Sequence, residues 1–148
     1  MAQYKCIICG AVETLDHTVP DSCSACGSPV LDLTRAQAIA AKNDAFRRSL
    51  FTGQTQGVPT GHVFMTRGIA AESAAFRCYA LRAVALQTTF TEDDDPHAEH
   101  DFGAVTIEGQ TVWWKIDLYD QSLTYGTDDP LDDIKTSRVL TLLFPSEY

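Results

Sequence analysis

The chain has 148 residues, with 20 acidic and 11 basic side chains and a formal net charge of −9. Its 45% apolar and 21% charged content excludes a disordered or fibrous chain, and a protein of this length can bury about 68–70% of its unfolded surface in a conventional core. Arg77, Arg82 and Lys115 break the longest apolar runs well short of the roughly 20 residues that a membrane helix needs. The overall acidity argues against a protein that coats DNA. The opening MAQYKC has no apolar run of the signal-peptide kind, so a cytoplasmic setting is expected.

Charge is unevenly distributed. Residues 1–33 carry one base and four acids, residues 34–90 seven bases and two acids, and residues 91–148 three bases and fourteen acids. The segments therefore bear −3, +5 and −11. Such asymmetry steers partners or ligands more than it specifies a fold. Its plainer meaning is a set of solvated helix and loop faces.

The first segment holds four of the five cysteines, in two C-x-x-C pairs, Cys6/Cys9 and Cys23/Cys26, each followed by glycine. Two intervening residues let one tight turn aim both sulfurs at a single ion, and the glycine permits close backbone approach. A short hairpin between the pairs brings the two knuckles face to face. Four thiolates then form a closed tetrahedral site for zinc, or equally for iron. Disulfides do not suit a reducing cytosol, and a thioredoxin-like centre uses one C-x-x-C beside a βαβ unit.

The strings YKCIICG and VPDSCSACGSPVLDL resemble the rubredoxin-like ribbon at the end of rubrerythrins, over about the first 33 residues and including Tyr4, Val30 and Leu33. That resemblance implies either one-electron transfer by iron or a structural zinc. No Glu-x-x-His pair of a di-iron helical bundle accompanies it here, so zinc is expected and iron is the alternative. Residues 1–33 are read as the ribbon and residues 34–148 as a separate α+β domain.

Thr34 is the expected N-cap of a helix over 35–50, with Ile39, Phe46 and Leu50 on its buried stripe and Arg47 and Arg48 at its C-terminal end, where cations suit the dipole. Residues 52–61 read as a loop, 62–67 as a short strand and 70–87 as a central second helix. Cys78, in that apolar helix, is expected to be a small core residue. Residues 88–101 form a polar, acidic loop. The clearest β signal is the alternation over 102–108 and 111–118, for which Gly109–Gln110 suits a type II′ turn. That turn would set Val105 opposite Trp114, with Val105, Ile107, Val112, Trp114 and Ile116 on one core face and Trp113 on the other. After a loop from Asp120 to Lys135, residues 137–144 are the last strand. The order predicts two helices packed on a mostly antiparallel sheet.

The string TEDDDPHAEHDFG, the strand WKIDLYD and the final TSRVLTLLFPSEY resemble a bacterial family known only as a domain of unknown function, over roughly residues 44–148. Asp94 stands where that family usually shows Asn. The resemblance implies a setting on plasmids and other mobile elements but no activity. It also singles out residues 91–101 as a feature of the family.

Extending the expected hairpin pairing outward puts His100 opposite Tyr119, Phe102 opposite Asp117 and Glu99 near Asp120. Asp93, Asp95, Glu99, His100, Asp101, Asp117, Tyr119 and Asp120 are accordingly the candidate binding residues of the acidic loop. An imidazole among carboxylates has the ingredients of acid–base or hard-metal chemistry. An EF-hand is excluded, since no glycine stands sixth from Asp93 and no glutamate twelfth. The competing reading is structural: aspartates bonding backbone amides of a long loop, tethered by His100.

Three functions follow. The first is a zinc-stabilised acidic binding or adaptor protein that meets a basic protein partner, one form of it an inhibitor of a host factor acting by protein contact or charge mimicry. The second is a rubredoxin-type iron carrier. The third is an enzyme using Glu99, His100 and Asp117. Whether the protein is an enzyme stays open, with binding the favoured expectation. Walker, GxGxxG, GxSxG and HExxH motifs do not occur. Direct nucleic-acid binding by the ribbon is disfavoured, because Lys5 is its one base.

Overall fold

A computed structural model of the chain describes residues 2–16 and 20–148; Met1 and residues 17–19, the latter between the two cysteine pairs, lie outside the described residues. The architecture is α+β with two sheets. The first is small and antiparallel, in the order β2-β1-β3, from β1 (Ala2–Cys6), β2 (Val12–Leu15) and β3 (Val30–Asp32). Its buried side chains are Tyr4 and Cys6, and Cys23, in the segment between β2 and β3, is buried beside them.

No linker follows. β3 runs directly into the twenty-residue helix α1 (Leu33–Thr52), whose N-cap is Asp32, accepting the amide of Arg35 at 3.0 Å. Thr34, the expected cap, instead accepts the amide of Gln3 at 2.7 Å and so ties α1 back to β1. The carboxylate sits one residue before the helix, where a side-chain acceptor reaches the free amides of the first turn, and this frees the hydroxyl for a tertiary contact.

The second sheet has the order β4-β7-β6-β5, from β4 (Gly61–Met65), β5 (Phe102–Ile107), β6 (Gln110–Tyr119) and β7 (Ser137–Leu143). β4 is parallel to β7, and the other pairs are antiparallel. The expected helix over 70–87 is α3 (Ala74–Leu86), which begins late because Ser73 caps it by accepting the amide of Phe76 at 3.1 Å, and a short helix α2 (Arg67–Ala70) replaces the end of the expected strand. Phe76, Ala80 and Val84, one turn apart, join Phe46 of α1 over Val112, Trp114, Ile116, Leu140 and Leu142 of the sheet. Cys78 falls on the opposite side of that helix and is exposed, contrary to the expectation of a core position. Two residues past Phe76 is about 200° around an α-helix. No helix among the described residues is long and apolar enough to cross a membrane.

The β5–β6 hairpin keeps its expected faces but not its expected register. The turn is Glu108–Gly109, both residues at positive φ (50° and 79°), and Ile107 pairs with Gln110. This is the backbone of a type I′ turn, with glycine at the second central position. Every partner moves by two residues, so side chains stay on the same side of the sheet: Trp114 is fully buried, while Trp113 lies between Phe102 and Tyr148 on the other face. The packing explains the choice. Gly103, not Val105, lies opposite Trp114, and a β-carbon on it would sit 2.5 Å from the indole Nε1. A side chain there has no room. Gly103→Ala is therefore expected to cost about 1–3 kcal/mol, as overpacked cores do, and to lower the urea midpoint with an unchanged slope; an unaltered midpoint would contradict the close approach.

Candidate metal centre and acidic loop

The two cysteine knuckles repeat one local geometry. Gly10 and Gly27 follow them at positive φ, and their amides return to the carbonyls of Cys6 and Cys23 at 3.1 and 2.8 Å. Amides of Ile8 and Cys9 point at Cys6 Sγ, and that of Ala25 at Cys23 Sγ, each at 3.4 Å. The four sulfurs lie within 4.8 Å of one another. Two of the separations are 3.5 Å (Cys6–Cys26) and 3.7 Å (Cys9–Cys23). A regular tetrahedron with metal–sulfur bonds of about 2.3 Å has edges near ~3.8 Å, so the cysteines could hold a metal ion as they stand.

Their acidities diverge as crowded thiols must. The Cys9 and Ile8 amides hold the Cys6 thiol down to about 6. The Cys26 thiol is also lowered, first by Ser28. Cys9 has the Ala11 amide pulling it down, yet the sulfurs of Cys6 and Cys23 push it up to about 12. Only a bound cation lets four such neighbours ionise together.

The acidic loop packs beside this cluster. Asp95 is buried, and its Oδ1 accepts the amides of Glu99 and His100, both at 3.1 Å. That acceptor stabilises a backbone in which Ala98 and His100 take positive φ. The His100 ring lies flat on Phe90, centroids 3.9 Å apart, with Nδ1 at 2.9 and 3.0 Å from the two carboxylate oxygens of Asp44. Its Nε2 is 3.8 Å from Asp95. The Glu99 carbonyl accepts from Asn43 at 2.9 Å, and the Asp101 carbonyl from the Ile116 amide at 2.8 Å. Glu92, Asp93 and Asp94 remain exposed.

The two-residue register difference changes the partners expected for this loop. Phe102 pairs with Lys115 rather than with Asp117. Tyr119 pairs with Ser137 and bridges to Gly126 instead of meeting His100. Asp120 serves its own turn, accepting from Ser122 Oγ at 2.6 Å and the Thr124 amide at 3.2 Å, and Asp117 pairs with Lys115 at 3.1 Å. Glu99 and His100 are thus held by α1 and Asp95 closes the loop on itself, while the Asp101 carbonyl is bonded to β6, within electrostatic reach of Asp117, and Tyr119 and Asp120 follow the end of that strand.

Sequence reasoning missed the groups that anchor the loop. Asn43 and Arg47 are fully buried polar residues set four apart among the apolar positions of α1. Arg47 does not serve the helix dipole. Its Nη1 donates to the carbonyls of Val84 (2.5 Å) and Gln87 (3.0 Å), its Nη2 meets Asp44 at 2.6 Å, and its guanidinium lies over Phe90 and Trp114. Burial lowers its pKa, and Asp44 offsets part of that. Arg138 of β7, also buried, donates Nε to Asn43 at 2.9 Å. A polar pair at helical spacing inside an apolar stripe was the available signal.

Between the first knuckle and the acidic loop lies a groove of about 560 Å³, whose lining includes Ile7, Ile8, Glu92, Asp93, Asp95 and His97. The Lys5–Glu92 ion pair, at 2.9 Å, joins its two sides and holds the Glu92 carboxyl below its ordinary range. The groove is thus walled by the cysteine ribbon and by a loop of carboxylates.

Comparison with known proteins adds a family. The chain belongs to DUF3768, a family described as proteins of unknown function, whose match covers residues 65–147. This is narrower than the expected 44–148. It takes in the acidic loop, β5, β6 and β7 and leaves the ribbon and α1 outside. No curated protein matches the chain, and no solved structure does.

Burial raises the pKa of Glu99 and of Asp101, and repulsion from Asp101 and Asp95 respectively adds to it. A carboxyl raised in the folded state subtracts stability at neutral pH and recovers it as pH falls through the folded value. Glu99→Gln is therefore expected to raise the melting temperature at pH 7, with the gain fading as the pH approaches the unfolded carboxylate range. A gain that persisted unchanged in acid would refute the electrostatic cause.

Proposed function

We propose that the protein is a zinc-stabilised acidic binding module. Cys6, Cys9, Cys23 and Cys26 would hold one zinc ion, which supplies no chemistry beyond cross-linking the ribbon, and the carboxylates at 92–94 would meet a basic protein partner. The observation that carries this reading is the division of roles within the loop. Asp95 and His100 satisfy internal donors and acceptors, whereas Glu92, Asp93 and Asp94 face solvent beside the ribbon. An adaptor, or an inhibitor that mimics the charge of a nucleic acid toward a host factor, is the form such a module would take in a bacterium or on a mobile element.

Three measurements test it. Metal analysis of purified protein should find about one equivalent of zinc, as a closed four-thiolate site takes one ion; a red protein with stoichiometric iron would support the electron-carrier alternative instead. Cys23→Ser should lose the metal and loosen the β1–β3 sheet while β4–β7 persists, since ligation supplies the folding energy of such ribbons. Exchanging Asp93 and Asp94 for Asn should weaken capture of basic proteins, more so at low salt, with stability changed by no more than about 0.5 kcal/mol, the usual range for exposed sites. Equal capture by the variant would refute the acidic reading.

A further inference from the structure

The groove between ribbon and loop has two chemically different sides. On the ribbon side, Ile7 and Ile8 form the tip of the first knuckle and are 54% and 71% exposed. Two adjacent aliphatic side chains exposed on a tight turn at the rim of a cavity offer apolar contact to whatever enters it. On the loop side stand the exposed carboxylates of Glu92 and Asp93, with His97 between them and the hairpin. The one lysine in the lining, Lys5, is already paired with Glu92, so the unpaired charge of the groove is negative. Its volume of about 560 Å³ falls within the roughly 300–1,000 Å³ typical of ligand sites.

We propose that this groove takes an extended peptide segment of a partner protein in which basic and aliphatic side chains alternate. An extended chain sends successive side chains to opposite sides. A period-two pattern therefore presents a lysine or arginine to Asp93, beside the Glu92 carboxylate that Lys5 already pairs, and its aliphatic side chains to Ile7 and Ile8, along a single strand. A nucleic acid would meet the carboxylates as like charges. An acidic peptide would do the same. The inference rests on the acidic-module reading and names its partner.

The test uses the zinc-loaded 148-residue chain and the fluorescence anisotropy of short fluorescein-labelled peptides. A lysine–valine alternating peptide should bind, and salt should weaken it. Lysine–serine and glutamate–valine peptides should bind at least about tenfold more weakly, a step of roughly 1.4 kcal/mol. Ile8→Ser and Asp93→Asn should each weaken the lysine–valine peptide by a similar factor. Both positions are exposed, and zinc content on each variant checks that the ribbon is intact. Asp128→Asn with Asp129→Asn, on a loop outside the groove, should leave affinity unchanged. Binding that responds to the 128/129 pair but not to Ile8 or Asp93 would overturn the groove and leave the acidic module standing. Failure of every basic peptide to bind would overturn both, and a single-stranded oligonucleotide that binds more tightly than the peptides would overturn the choice of partner.

Discussion

A run of three polar residues on α1 holds the distant parts of the molecule in place. Asn43 receives Arg138 of β7 and donates to the acidic loop at Glu99; Asp44 receives His100 of the same loop; Arg47 reaches the end of α3 at Val84 and Gln87. Gln87 in turn accepts the indole N–H of Trp114 at 2.8 Å, and Phe90 packs between Arg47, His100 and Trp114. Buried polar groups are costly unless bonded, and breaking a buried charge pair on one side costs several kcal/mol. The network therefore favours this arrangement of helix, loop and sheet through the bonds it does make, although Arg47 Nε and both Nη atoms of Arg138 are buried without a partner among the described residues.

The consequence for the loop is a built scaffold rather than a loose acidic tether. Asp95 closes the backbone between Glu99 and His100, and His100 is clamped by a carboxylate on one side and an aromatic ring on the other. With those groups committed inward, the carboxylates left toward solvent are the ones nearest the ribbon. The Lys5–Glu92 pair and the Thr34–Gln3 bond place the knuckle against them. Exposed ion pairs contribute little energy, so this junction positions the two sides of the groove more than it stabilises the fold.

The ribbon and the β pattern were legible from local spacing. Two C-x-x-C-G strings require only short-range turns to converge, and the sulfurs do converge to tetrahedral separations. Alternation over 102–118 sorted Trp114 inward and Trp113 outward without knowledge of the register, since a shift of two residues keeps the faces. The register itself was ambiguous, because Gly109 suits either the first position of a type II′ turn or the second of a type I′ turn, and the close approach of Gly103 to Trp114 fits the second. Cys78 illustrates the same limit: the helix containing it reads as apolar throughout, yet only the face bearing Phe76, Ala80 and Val84 is covered.

Sequence alone thus determined the α+β class, the four cysteines that could hold a metal ion, the faces of the hairpin and the concentration of acid in residues 91–101. These depend on periodicity, on tight-turn spacing and on composition, all of which act within a few residues. Tertiary structure decided which of those acids turn inward, which partners His100 has, and that Arg47 and Asn43 belong to the core. The reason is that these outcomes depend on contacts between residues 37 to 95 positions apart. There the desolvation cost of each buried polar group selects its partner, and no local pattern carries that information.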